Sequence, residues 1–567
     1  MKLTGAQMVC ECLIREGVDV AFGLPGGAIL PLYQTMVHYP QLRHILVRHE
    51  QAAAMAADGY FRASGKVGVA IATSGPGATN LVTGIAAAYM DSSAVVAITG
   101  QVPRSGIGKD FFQEVDTTGI TLPITKHNYL VMRAADIPRI IREAFYLAKS
   151  GRPGPILVDI PKDVLTEQAE FDYPEDVDLP GYKPTLEGHP TQIKKAARLI
   201  KDAKRPVILA GHGVVLSQAF EELRELAEKA QIPVVTTLLG ISSFPETHVL
   251  SVGMPGMHGV ASASLALDRA DLIVSLGARF DDRVTGRVST FATHAKIVHV
   301  DVDPSVIGLN VKTHVPIVGD VKRILHALNQ QVQPATHTDW LDEIEQLRRE
   351  HPSLRLQDNS KLTQQYVLKQ LSDITQGKAI VVTGTGQHQM WAAQHYQFTQ
   401  PNSFITSGGL GTMGFEVPAA MGAQVARPDA TVWSIAGDGG FQMTLCDLAT
   451  LVENKIPVKF ALMNNRSLGM VRQWQDLFYQ KNYFATLYTG NPDFVKLAEA
   501  YGMFALRVTD KAHVASAIQD AMQYPGPALV DFMVDPEENV YPFIPPGESV
   551  KEMMEQNVPA EEAAWSR

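Results

Sequence analysis

The stretch Thr431-Val-Trp-Ser-Ile-Ala-Gly-Asp-Gly-Gly440, with its continuation to Trp474, decides how the chain is read. An apolar run, Thr431–Ala436, breaks into Gly437-Asp438-Gly439-Gly440, and a helix-like segment follows from Gln442 to Asn454. A second apolar run, Val458–Met463, then ends in Asn464-Asn465. Strand, glycine turn, helix, strand makes a parallel βαβ unit whose two strands finish at the same sheet edge. Asp438 and Asn465 are therefore expected side by side. A carboxylate and an amide oxygen beside glycine backbone suit Mg²⁺, which prefers oxygen ligands and is usually shared with phosphates. Gly-Asp-Gly alone reads as a plain turn; the asparagine pair one βα unit later favours the metal reading.

Outward from this stretch, the 567-residue length predicts about three or four domains. With 46% hydrophobic and 19% charged residues the composition is that of a globular protein with large cores. A formal charge of −10 offers no footprint for nucleic acid and no basic face for a membrane surface. Cys10, Cys12 and Cys446 are too few for a disulfide framework and favour a reducing, cytoplasmic compartment. The Cys10/Cys12 pair lacks the spacing of a metal or redox motif and sits among helix-type apolar residues, so packing is its expected role. The N-terminus reads as neither signal nor transit peptide, and no apolar run approaches the roughly 20 residues of a membrane span.

In chain order, residues 1–165 alternate strands and helices. Strands are expected at Val18–Gly23, turned by Pro25-Gly26-Gly27, at Ile45–Glu50, at Val67–Thr73, at Ala94–Gly100 and at Pro155–Ile160. Residues 166–190 are acidic, proline-rich and aperiodic, a linker. A second α/β domain spans 191–330, with strands at Pro206–Ala210, Val234–Val235, Leu272–Leu276 and Ile297–Asp301. Its strand ends, Gly211-His212-Gly213, Gly277-Ala278-Arg279 and Asp301-Val302-Asp303, suit a dinucleotide. The full G-x-G-x-x-G fingerprint is missing, so a cofactor-free structural domain is an equal reading. A polar linker, 331–361, leads to the last domain, 362–545, and residues 546–567 are expected to form a tail or lid. The fold class is α/β, three doubly wound parallel-sheet domains, the first and third of similar size.

The motifs identify a family. The chain resembles the thiamine diphosphate-dependent decarboxylase superfamily over nearly its whole length, and within it the acetohydroxyacid synthase branch. The match rests on Phe22–Gly27, Arg48-His49-Glu50, Thr73–Asn80, Ile98–Gln101, Phe112-Gln113-Glu114, Arg152–Pro155, Gly256–Gly259 and Gly277–Arg283. In the last domain it rests on Gly386–Trp391, Gly409–Gly414, the Gly-Asp-Gly stretch and Gly469–Trp474.

The resemblance implies thiamine diphosphate, Mg²⁺ and FAD, the last in a structural rather than redox role. It implies Glu50 as the residue that shifts the cofactor's pyrimidine tautomer, and Met413 as the bulky residue that bends the cofactor. Gln113, Phe112 and Lys126 would line a substrate channel; Lys126 reads equally as an ordinary surface lysine. Trp474 would press on the second keto acid, although a packing role is the plainer reading. Pro25, Gly26, Gly27, Gly386, Gln387, His388, Gly411, Gly437, Gly439 and Gly440 would border thiamine diphosphate. Asp438, Asn465 and Ser467 would hold the metal. Gly211, Gly213, His258, Arg279, Asp281, Arg283, Asp301 and Asp320 would contact the flavin.

The implied reaction decarboxylates pyruvate and transfers the hydroxyethyl carbanion to pyruvate or 2-ketobutyrate. A homodimer or homotetramer, with the active site between subunits, and a regulatory small subunit are the implied partners. Another 2-keto acid carboligase or decarboxylase, or a catalytically silent regulatory paralogue, are the alternatives; intact Glu50, Asp438 and Asn465 argue against the last. The chain departs from the family pattern at Ala94, Lys109, Phe111 and His212. Gly384 stands where an aspartate is common, and Glu416 replaces a glycine, which reads as an acid suited to a helix start.

Overall fold

The computed structural model describes residues 1–356 and 360–555. Three six-stranded sheets follow one another along the chain, every strand pair within them parallel. The first holds β1 (Val20–Gly23), β2 (Arg43–Leu46), β3 (Gly68–Ala72), β4 (Val95–Gln101), β5 (His127–Leu130) and β6 (Ile156–Pro161), in the order β2-β1-β3-β4-β6-β5. The second holds β7 (Pro206–Ala210), β8 (Val234–Thr236), β9 (Ser251–Gly253), β10 (Leu272–Leu276), β11 (Lys296–Asp301) and β12 (Val315–Val318), ordered β9-β8-β7-β10-β11-β12. The third holds β13 (Ile380–Thr383), β14 (Phe404–Thr406), β15 (Val432–Gly437), β16 (Lys459–Asn464), β17 (Phe504–Val508) and β18 (Ala528–Met533), ordered β14-β13-β15-β16-β18-β17. The outer two sheets therefore share one topology. The middle one has the strand order of dinucleotide-binding domains, with its switch point between β7 and β10.

Strands buried on both faces explain the long apolar runs at Val69–Ala72, Val95–Ile98 and Phe460–Met463. The first and third domains join through two helices, α1 (Glu50–Ser64) and α2 (Glu416–Ala426). Their contact is alanine-rich, and glycine lets the backbones touch. A Cβ on Gly59 would come 2.1 Å from the Ala419 carbonyl oxygen, and one on Gly422 would come 1.9 Å from that of Ala56. Adding a methyl at either position overpacks the crossing, at a cost of about 1–3 kcal/mol. Beside it Arg62 is fully engaged, pairing with Asp58 and Asp91 and donating to the Thr406 carbonyl.

Several boundaries differ from the sequence reading. Glu50 does not end a strand: β2 stops at Leu46, and His49 caps a helix that Glu50 opens, accepting from the Gln51 amide at 3.2 Å. The run Gln51–Ala57 is rich in alanine, the strongest helix former. The helix read as Gln442–Asn454 begins at Asp438, runs to Thr444, and after a 3₁₀ turn resumes over Leu448–Glu453. The 166–190 segment contains a strand, Gln168–Glu170, that pairs with Lys2–Thr4.

The 331–361 segment is not simply a linker, because it carries the helix Thr338–Glu350. Its Trp340, Ile344 and Leu347 are buried at i, i+4 and i+7. Trp340 Nε1 donates to the Pro206 carbonyl at 3.0 Å, so the helix belongs to the middle domain. Within 546–555, Glu548 pairs with Arg287, and Met554 bridges to Phe543; the rest of the tail lies outside the described residues. Cys10 and Cys12 are buried in the first-domain core, and burial raises both thiols, Cys10 to about 12. Among the described residues no helix is long and apolar enough to cross a membrane.

Candidate active site

Each sheet presents its loops at the carboxyl ends of its strands, so the geometry can be followed domain by domain. In the third, Gly437 pairs with Met463 across β15 and β16. That register brings Asp438 and Asn465 into one small cavity with Gly386, Gln387, His388, Met413, Gly439, Gly440 and Ser467. Asp438 is almost wholly buried, and its Oδ2 accepts from Asn491 Nδ2 at 2.6 Å. Its Oδ1 has no partner, and neither has the buried Ser467 Oγ. Asn465 accepts from the Ser467 amide at 3.1 Å and donates to Gln387 Oε1 at 3.3 Å.

Desolvation pushes the Asp438 carboxyl up to about 7, only partly offset by Asn491. A buried carboxylate, an amide oxygen and an orphaned hydroxyl form an all-oxygen set that fits a hard cation with open positions for phosphate. Among the described residues no cluster of three His, Cys, Asp or Glu side chains could hold a metal, which leaves this site with a single carboxylate.

In the first domain, loops leave β1 and β3 at the switch point between them. Ala28 N donates to Thr73 Oγ1 at 3.2 Å, and Gly26 lies so close to Thr73 that a Cβ would come within 2.4 Å of it. Glu50, buried at the start of α1, accepts from Asn80 Nδ2 at 2.9 Å through Oε2. Gln113, with φ of 62°, packs on Gly75, while its neighbour Phe112 is 88% exposed. Glu50 does not line the Asp438 cavity of its own chain.

Between the three domains lies a cavity of about 840 Å³, lined among others by Gly213, His258, Arg279, Asp281, Arg283, Asp301, Asp320 and Gly411. It sits at the β7/β10 switch point and is at the large end of small-molecule sites. His258 stacks on Phe543 at 5.1 Å, and burial drops its imidazole to about 3. Asp301 accepts from the Asp303 amide at 2.9 Å, and burial raises it to about 6. One end of this cavity is closed by Met470 and Trp474 from the helix Gly469–Phe478. Trp474 also faces an outer groove with Val471, Gln475 and Tyr479, and its Nε1 has no partner.

Family models match all three domains. "Thiamine pyrophosphate enzyme, N-terminal TPP binding domain" covers residues 3–120, the central-domain model 193–328, and the C-terminal TPP binding domain model 384–532. The acetolactate synthase of Mycobacterium leprae is 51% identical over 97% of this chain and 90% of its own length. The large subunit from Corynebacterium glutamicum is 48% identical over 97% and 89%, and the chloroplastic acetolactate synthase 1 of Zea mays 47% over 97% and 88%. The chain belongs to the acetolactate synthase family of thiamine pyrophosphate enzymes.

Two residues expected in the sites of this family have structural contacts of their own. Lys126 is half-buried, and its Nζ donates to the carbonyls of Leu147 and Ser150 and to Tyr182 Oη, using all three donors. It closes the C-terminal end of the helix Ile137–Lys149, and burial lowers it to about 8. Gly211 does not line the large cavity; it lets the chain pass the Gly277 carbonyl, which a Cβ would approach to 2.3 Å. Asp320 lines the cavity but also caps the helix Val321–Asn329, accepting from Arg323 N at 3.1 Å.

Other residues went unseen in the sequence. Asn491 orients Asp438, and Gln473 accepts from Gln387 Nε2 at 3.0 Å. Arg152 lines the large cavity and reaches Ser92 Oγ at 2.8 Å and Asp303. The Arg152-Pro-Gly-Pro155 motif was a visible signal for the last; nothing in the sequence pattern marked Asn491.

Proposed function

We propose that this chain joins two 2-keto acids. It decarboxylates pyruvate and adds the two-carbon remainder to pyruvate or 2-ketobutyrate, giving 2-acetolactate or 2-aceto-2-hydroxybutyrate, precursors of branched-chain amino acids. Two pyruvates and one proton yield 2-acetolactate and CO₂, so no electrons are left over. The reading is carried above all by the two orphaned oxygens, Asp438 Oδ1 and Ser467 Oγ, buried in a glycine-walled cavity inside a thiamine pyrophosphate domain.

Asp438, Asn465 and Ser467 would hold Mg²⁺, and Gln387, His388 and the amides of Gly439 and Gly440 would border the diphosphate. Thiamine diphosphate, when bound, supplies a nucleophilic carbon that also serves as electron sink. Glu50 keeps Oε1 free beside Gly77, while Asn80 holds Oε2; it would hold a proton at the pyrimidine. Since Glu50 and the Asp438 cavity of one chain share no wall, a second copy would complete each site. Trp474 and Met470 would exclude water from the acceptor side. FAD is assigned to the cavity between the domains, where the dinucleotide-type strand order supports it. The "large subunit" names of relatives support a regulatory partner, and three unpaired thiols fit the cytoplasm.

The test is an assay of purified protein with pyruvate, Mg²⁺, thiamine diphosphate and FAD, scoring acetolactate and omitting each component in turn. Failure to form acetolactate in the complete mixture would sink the reading.

A further inference from the structure

Glu416 is wholly buried, and neither of its carboxylate oxygens has a hydrogen-bond partner. A helix-start carboxylate ordinarily reaches water or the first-turn amides; here the amides of Glu416 and Gly414 approach it and only partly offset its burial. Its surroundings are glycines: a Cβ on Gly384 would lie 1.8 Å from Oε2, and one on Gly440 would lie 2.7 Å from Oε1. Gly384 directly precedes Thr385 and Gly386, and the cavity that holds Asp438 is walled by Thr385, Gly386 and Gly440. Burial raises the Glu416 carboxyl to about 7.

The topology adds a second, independent observation. Glu416 opens the helix after the second strand of the third sheet, as Glu50 opens the helix after the second strand of the first. Those helices are α1 and α2, packed on each other, and Glu50 lies beside Gly77 as Glu416 lies beside Gly440. The two glutamates hold equivalent places in two domains of one topology.

We propose that Glu416 is a positioning residue of the diphosphate cavity: its side chain fills the slot between Gly384 and Gly440 and fixes the spacing of the two cavity walls they belong to. Gly384 and Glu416 are then one device. The carboxyl of residue 416 takes the space that a side chain at 384 would need, so the two departures from the family pattern are coupled. The Glu416 side chain is wholly buried in that slot.

The inference rests on the Asp438 cavity being the diphosphate site, and the experiment separates the two. Thiamine diphosphate affinity is measured by quenching of tryptophan fluorescence in Mg²⁺, with the Tm of the cofactor-free protein beside it, for wild type, Glu416→Gly, Gly384→Asp and the double variant. Glu416→Gly is expected to bind about tenfold more weakly, with kcat at saturating cofactor within twofold of wild type. Gly384→Asp alone is expected to lose more, in affinity and Tm. The double variant is expected to recover to within about threefold of wild type, the non-additivity of groups in contact.

Additive losses in the double variant, or an unchanged affinity in folded Glu416→Gly, would overturn the proposal. If Gly384→Asp does not fold alone, recovery of soluble, cofactor-binding protein in the double variant supports the coupling, and an insoluble double variant overturns it. A wild type without saturable thiamine diphosphate binding would overturn the functional reading, and with it Glu416's role toward the cofactor.

Discussion

Asp159 and Asp531 occupy the same place in two sheets, the fourth residue of β6 and of β18, yet their neighbours differ in kind. Asp159 accepts from Thr99 Oγ1 at 2.7 Å and Gln101 Nε2 at 2.9 Å, both neutral, and burial raises it to about 7. Asp531 accepts from Asn464 Nδ2 at 3.0 Å, the counterpart of the Gln101 contact, and also pairs with Arg507 at 2.9 Å. In register, Arg507 faces Asp531 where Leu130 faces Asp159. Each of these two domains also has a lysine that binds carbonyls just before its sixth strand: half-buried Lys126 the Ser150 carbonyl, buried Lys459 those of Tyr524 and Gly526. Desolvation lowers both ammonium groups to about 8. The lesson is that topology is held by shared backbone devices, while the charge at the sheet edge is free to diverge. The first domain ends in a glutamate held by an asparagine, the third in an oxygen cage.

That division of labour can be broken at either end. The largest effect is expected for Glu50→Gln: turnover should fall by about 10²–10⁴-fold while thiamine diphosphate still binds, since glutamine cannot hold the proton. Near-normal turnover would remove Glu50 from the chemistry. In the third domain the defect should appear in binding instead. Asn491→Ala, which frees Asp438, should weaken Mg²⁺-dependent cofactor binding by about 10–100-fold in a titration, and Asp438→Ala by more. Unaltered affinity in Asp438→Ala would show that the oxygen cage holds no metal.

Trp474→Leu tests the far wall. The ratio of acetohydroxybutyrate to acetolactate in mixed-substrate competition should drop by an amount worth at most about 1–3 kcal/mol, with pyruvate decarboxylation spared. A constant ratio returns Trp474 to packing.

The last effect concerns Asp159 and is read on stability, with no change expected in the chemistry. Its folded pKa lies above its unfolded value near 3.8, so the native state holds a proton that the unfolded chain releases. Its stabilising contribution is present at low pH and fades as pH rises toward about 7, with a slope of at most about 1.4 kcal/mol per pH unit. Asp159→Asn should flatten the fall of Tm between pH 4 and 7. A profile parallel to wild type would mean that Asp159 is ionised throughout.

Much of this was legible in the chain. Alternating apolar runs and glycine breaks placed the early strands, and the Gly-Asp-Gly stretch placed the oxygen cage, because a parallel βαβ unit admits few geometries. The sharpest sign of two like domains is a short recurrence: Pro153-Gly-Pro-Ile-Leu-Val-Asp159 returns as Pro525-Gly-Pro-Ala-Leu-Val-Asp531. It is too short to register as a periodic repeat. The helix Thr338–Glu350 was hidden by its charge, since only Trp340, Ile344 and Leu347 face inward. The carbonyls around Lys126 come from a helix end distant in sequence, so no local pattern shows them. Glu416 was read correctly as a helix start, but its enclosure depends on Gly384 and Gly440, which no local pattern brings together.

The α1–α2 crossing has a consequence for how the chain is made. Some 350 residues separate the end of α1 from the start of α2, so at about 5–20 residues per second the ribosome needs roughly 20–70 s to deliver the partner helix. During that interval the alanine face of α1 has no cover from α2, while the middle domain is synthesised and free to fold. Nascent chains arrested before residue 416 are therefore the state in which this protein would most need a chaperone.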